Sequence, residues 1–315
     1  MNTIKLLYTR VERFVKKTSL WVIFMIILAV LLIITSCINS VKITREGFTQ
    51  QTEKYVLKKN NDIYDQFYVN VYDDLFYKEL TNNYEVGTIE NITEPTNESI
   101  ILDIGSKTGH ICGLLKEQNY NVTGLDESHD MVQFSKKEYP DIKFTKGSPL
   151  KSITYNNDSF THILCLNQTI YHYKNKKDFI QNVYNWLKPG GYFAIQLIDK
   201  NDFDPVIPSA KPFFMINPQS FAKNKITTSN VVFNNFRYTG DFKTFPNDVV
   251  QYREIFKDTT AGNEKVRENI LEMWMPPKST IVNIAKETGF IVFAEVDLMM
   301  AQLEYQYLYI FQKPA

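Results

Sequence analysis

Residues 100–110, Ile-Ile-Leu-Asp-Ile-Gly-Ser-Lys-Thr-Gly-His, constrain the fold more than any other stretch: an apolar strand runs into Asp103, and Gly105 and Gly109 then open a helix. Glycine lacks a Cβ, so a strand-to-helix turn of this kind lets backbone approach an adenosine-containing ligand closely. Gly-x-x-x-Gly also arises wherever a chain turns tightly, and the surroundings carry the weight. A second short strand, 121–125, ends in Asp126, about where an open parallel sheet places the carboxylate that holds both ribose hydroxyls. Residues 186–195, Trp-Leu-Lys-Pro-Gly-Gly-Tyr-Phe-Ala-Ile, predict a helix end, a turn and a new buried strand.

In this order and spacing the three landmarks resemble the class I S-adenosylmethionine-dependent methyltransferases. The resemblance covers roughly 61–199 and returns in the last 40 residues. It implies a Rossmann-like, doubly wound α/β sheet of seven strands, the methyltransferase fold, with S-adenosyl-L-methionine as cofactor. Strand-helix alternation from Ser99 agrees with a parallel sheet covered on both faces, and Phe179, Ile180, Val183, Trp186 and Leu187 form one helical stripe. An insertion, 201–277, contains two β-branched and aromatic runs, 231–238 and 249–256, expected as antiparallel strands, and sits where an acceptor lid would. A helix at 279–288 then leads to closing strands, the last at 305–311.

By the same resemblance, Asp126 accepts the ribose hydroxyls, with capping of the next helix as the alternative. Gly105 and Gly109 give backbone access, and Asp103 orients the donor's ammonium end. The family's middle loop glycine is Lys107 here, whose side chain intrudes, points outward or pairs with the donor's carboxylate. Ser148 stands where the family often has an adenine-binding acid. Asn167, Tyr171 and His172 face the methyl group, His172 as a general base or as a structural histidine. A helix over 63–75 lies across the donor pocket and carries Tyr64, Tyr68 and Tyr72, of which Tyr72 is assigned to the cofactor, with packing as the alternative.

The expected activity is methyl transfer to a small-molecule acceptor. Lys107, Ser148 and Thr161 depart from the family pattern, and they motivate a second reading, a non-catalytic methyltransferase-fold scaffold. Basic and acidic side chains balance at 35 each, so no footprint for nucleic acid is visible. No His, Cys and acid set has metal-ligand spacing, and no metal is expected.

The N-terminal part predicts a membrane anchor. Residues 1–19 form a basic amphipathic segment, 20–38 an uncharged run of about 28 Å as a helix, and 39–60 a tether before the domain at 61–315. A cleaved signal peptide and a lipid-modified Cys37 are open readings of the same run. The expectation is a single-pass membrane protein with its globular domain on the cytosolic side; flanking charges favour an exported domain, whereas the donor and the free thiols of Cys112 and Cys165 favour the cytosolic side.

Overall fold

The computed structural model describes residues 51–211, 224–260 and 264–315, with isolated positions elsewhere (19, 21, 22, 24, 25, 28–31, 48, 219, 222 and 262). Contacts divide the chain into Met1–Arg45 and Glu46–Ala315. In the first unit the described positions between 21 and 31 are helical and exposed, with Trp21 edge-on to Phe24. The expected basic segment, most of the 20–38 run and Cys37 lie outside the described residues.

Among the described residues no helix is long and apolar enough to cross a membrane. The longest of those in the second unit, Glu79–Thr93, has 15 residues, about 22 Å against a hydrocarbon core of about 30 Å. This corrects the expectation of a single-pass membrane protein, and the sidedness argued from it falls with it.

Seven strands form the main sheet: β2 (Ile100–Ile104), β3 (Asn121–Asp126), β4 (Lys143–Lys146), β5 (Phe160–Cys165), β6 (Leu187–Ile198), β11 (Ile291–Asp297) and β12 (Gln306–Gln312). Their order is β11-β12-β6-β5-β2-β3-β4. Strands β2 to β6 are parallel, and β12 and β11 close the sheet antiparallel. Period-two alternation sends Leu102 and Ile104 into one core and Ile101 into the other, so both faces are covered. Helix α5 (Lys176–Trp186) buries Phe179, Ile180, Val183 and Trp186 as its spacing predicts, and α6 (Lys278–Thr288) packs beside it. The other face carries α2 (Glu79–Thr93) and α3 (His110–Glu117).

A second sheet, ordered β1-β10-β9-β8-β7, is built from β7 (Thr228–Val232), β8 (Phe236–Thr244), β9 (Val249–Asp258) and β10 (Val266–Trp274) of the insertion. Its fifth member is β1 (Tyr55–Lys59), parallel to β10. Two expectations are corrected here. The end of the expected tether is a strand, and 231–238 is not one strand but a hairpin that turns through Asn234 and Asn235. Helix α1 (Gln66–Phe76), capped by Asp65, matches the expected helix at 63–75.

Candidate active site

The order of the main sheet reverses between β2 and β5, and open α/β sheets bind ligands at the carboxyl ends flanking such a switch point. The loop after β2 sits there. Gly105 donates its N–H to the Leu125 carbonyl at 2.7 Å and has φ +76°. A Cβ on it would stand 2.4 Å from Thr169 Cγ2, so the loop can press against the segment after β5 only as glycine. Gly109, φ +90°, is the N-cap of α3. Lys107 also takes a left-handed conformation, φ +51°, which costs a non-glycine residue roughly 1–2 kcal/mol.

Asp126 anchors this loop. Its Oδ2 accepts from Lys107 N at 2.9 Å and its Oδ1 from Ser128 N at 2.8 Å. Ser128, rather than Asp126, caps α4 (His129–Glu138), because its Oγ accepts from Met131 N. Each Asp126 oxygen therefore keeps a lone pair for a further donor. Burial raises its pKa, opposed by the two backbone N–H groups and by the Lys107 charge. Asp126 lines a cleft of ≈ 420 Å³ with Gly105, Lys107, Thr169 and His172.

A larger cleft of ≈ 1130 Å³, open mouth included, adjoins it; Tyr64, Lys107 and His172 line both. Tyr64, Tyr68 and Tyr72 project into it at successive turns; Phe242, Tyr252, Leu271 and Met273 reach it from the second sheet. Gln196 and Gln306, hydrogen-bonded at 3.0 Å, come to it from β6 and β12. Lys107 crosses the border: its Nζ donates to the Asn167 carbonyl at 3.0 Å and lies 5.3 Å from the centre of the Tyr72 ring. Burial lowers its pKa to about 8, opposed by Asp126 and Asp103. His172 lies beside Tyr64, ring centres 5.9 Å apart. Burial, then the Lys107 and Lys176 charges, push its pKa down to about 3, so the imidazole is neutral.

Lys107, Asn167, His172 and Tyr72 thus meet at one cleft, and Gly105 and Asp126 at the next. Four other residues named from the sequence do not line either. Tyr171 is fully buried and its hydroxyl accepts from Ile198 N at 2.7 Å; a catalytic role is corrected to a structural one. Ser148 bonds locally, to Leu150 N. Gly109 shapes the helix start. Asp103 is buried behind the loop, where the Cys112 thiol donates to it at 3.6 Å; burial pushes its pKa up to about 7.

Asp73 was not indicated by the sequence. From α1, its Oδ1 accepts from Thr108 Oγ1 at 2.7 Å and its Oδ2 lies 3.0 Å from His110 Nε2, so the helix grips the glycine loop. No local pattern announces this, because the partners are distant in sequence. Glu85, on α2, was also missed. It is fully buried and neither carboxyl oxygen has a partner among the described residues. Burial, then the Asp103 charge, push its pKa up to about 8, against an ordinary 4.5, with Lys107 opposing. Between those values the folded state holds a proton the unfolded chain has released, so the contribution of Glu85 to stability is greatest below about pH 4.5 and is lost as pH rises through about 8. Glu85→Met is expected to stabilise by on the order of 3 kcal/mol near pH 7 and by little in acid, as read by urea denaturation at the two pH values.

Comparison with known proteins matches residues 102–195 to a methyltransferase domain family. A demethylmenaquinone methyltransferase of Chlorobaculum parvum is 26% identical over 162 residues, 50% of this chain and 61% of that protein. The chain therefore spans about three-fifths of the length of the curated relatives it matches. Among solved structures, the CcbJ methyltransferase of Streptomyces caelestis overlays with a TM-score of 0.61 at 12% identity, covering 81% of this chain and 99% of that one. CalS10 of Micromonospora echinaspora, an amino pentose methyltransferase solved with S-adenosylmethionine, overlays at 0.55 and 13% identity, covering 74% and 91%. At such identities these overlays speak for the fold. With the glycine loop, the acid ending β3 and the family match on the same stretch of sheet, residues 102–195 form a methyltransferase domain, and the fold around them is that of S-adenosylmethionine-dependent methyltransferases.

Proposed function

We propose that this protein transfers a methyl group from S-adenosylmethionine to a small-molecule acceptor held under the second sheet. The observation that carries this reading is the pair of adjoining clefts with Asp126 in one and Lys107 on the border of both. The residues present fit the donor. Asp126 retains acceptor capacity for a sugar diol, and the buried Thr169 hydroxyl beside it has no partner among the described residues. Lys107 offers an ammonium whose only hydrogen-bond partner among the described residues is a carbonyl, suited to the donor's carboxylate. When bound, the donor supplies an electrophilic methyl group. The chain's part is to hold that group in line and exclude water, which the aromatic walls at Tyr64, Tyr68 and Tyr72 favour. His172, neutral at physiological pH, is placed to accept a hydrogen bond from the acceptor and is too weak a base to strip an alkylammonium.

The relatives and neighbours include a demethylmenaquinone methyltransferase and an amino pentose methyltransferase, so the acceptor's class is left to the lining of the cleft.

Calorimetric titration of the full chain with S-adenosylhomocysteine and S-adenosylmethionine tests the reading: both are expected to bind, and no heat with either overturns it. Affinity should also depend on pH. Lys107 is charged below about 8 and loses its charge above. Affinity for S-adenosylhomocysteine is expected to fall by about tenfold as Lys107 deprotonates, the worth of one charge-assisted hydrogen bond. Lys107→Met should bind more weakly at neutral pH and lack this component, the ligand's own ammonium titrating equally in both proteins.

A further inference from the structure

The cleft beneath the second sheet is sorted by charge. Its body is aromatic, with Phe203 edge-on to Phe242 at 5.2 Å and Tyr252 alongside. Cations gather in it: Lys78, Lys107 and Lys211 all line the cleft. Among its described lining residues the one carboxylate is Asp204, and it is engaged on both oxygens. Oδ2 meets Lys211 Nζ at 3.0 Å, while Oδ1 accepts from Val206 N and Gln219 Nε2. Lys78 Nζ is held by a neutral oxygen, Gln302 Oε1, at 2.6 Å. The pKa of Lys78 is lowered first by burial and next by the charge of Lys211, so the two ammonium groups share one region of the cleft.

On the methyltransferase reading, we infer that the acceptor is a flat, largely apolar molecule bearing an anionic oxygen group, with its ring among Tyr68, Phe242 and Tyr252 and its oxyanion on Lys78 and Lys211. A protonated amine is disfavoured twice. It would meet two like charges with no free carboxylate to compensate, and burying an unpaired charge is costly. It would also arrive protonated beside an imidazole that cannot take that proton. An oxyanion gains Lys78, whose present partner is neutral, and shares Lys211 with Asp204.

The test uses three probes on one ring system, naphthoate, naphthol and naphthylmethylamine, titrated calorimetrically into the full chain saturated with S-adenosylhomocysteine. Naphthoate is expected to bind at least about tenfold more tightly than the amine, with naphthol between. Lys78→Gln should weaken naphthoate about fivefold or more while changing naphthol by less than about twofold, and Lys78→Arg should restore it. An amine bound as tightly as naphthoate, no naphthoate binding, or a Lys78→Gln variant with unchanged preference overturns the inference. Saturation with S-adenosylhomocysteine is measured first, so failure of the donor site is read separately from failure of the acceptor assignment. The variant's own affinity for S-adenosylhomocysteine reports that it is folded.

Discussion

Asp126→Ala is expected to lower the affinity for S-adenosylhomocysteine by at least about 100-fold, since a carboxylate making two hydrogen bonds to a ribose diol contributes roughly 3 kcal/mol or more. Two effects add. The variant loses the oxygens that face the smaller cleft, and it frees the Lys107 and Ser128 amides that now end on them, loosening the glycine loop. Asp126→Asn separates the effects. It keeps one carbonyl oxygen for the loop and loses the charge, so it should fall between the wild type and alanine. Calorimetry gives the affinities, and a thermal melt reports the fold. An alanine variant that binds within about threefold of wild type would remove Asp126 from the donor site.

Arg267→Met should cost about 3–5 kcal/mol of folding stability, the usual consequence of breaking a buried charged network. Arg267 is 2% exposed, on β10. Its Nη1 donates to Asp65 Oδ2, its Nη2 to the Ile63 carbonyl and its Nε to Asn269 Oδ1, each at 2.9 Å, and the guanidinium stacks 4.5 Å from the Phe67 ring. Asp65 is the N-cap of α1, whose tyrosines wall the larger cleft. Next along the network, Asn269 Nδ2 donates to Glu254 Oε2, and Glu254 Oε1 accepts from the Tyr68 and Tyr238 hydroxyls. Removing the arginine leaves a buried carbonyl and a capping carboxylate short of donors. A melting temperature lower by about 10 °C is the expected reading, and a loss under about 1 kcal/mol would show that the network relaxes around the change.

The parallel sheet was legible because its strands are apolar on both faces and its turns are marked by Gly105, Asp126 and the Pro-Gly-Gly at 189–191. Strand β10 was not, since its inward positions include Arg267 and Asn269, and period-two reading needs inward residues to be apolar. Helix α2 hid for a similar reason: Thr81, Asn82 and Glu85 are polar and buried, and Gly87 and the threonines are weak helix formers. At the site, residues on one loop or its next landmark were found. The grip of Asp73 on Thr108, and the path of Lys107 to Asn167, depend on how distant segments meet, and local pattern holds no trace of that. Tyr171 illustrates the converse error. Its place in the chain suggested chemistry, but its side chain turns inward to Ile198.

Strand β1 pairs with β10 along its whole length, Tyr55 opposite Val266 through Lys59 opposite Ile270. The roof over the larger cleft is thus stitched from two stretches of chain separated by the entire parallel part of the main sheet. It is no portable cassette: a chimera that grafts residues 201–277 onto a relative without also carrying 51–60 leaves the β10 edge bare, open to pairing with another molecule. Any redesign of specificity has to move both stretches together.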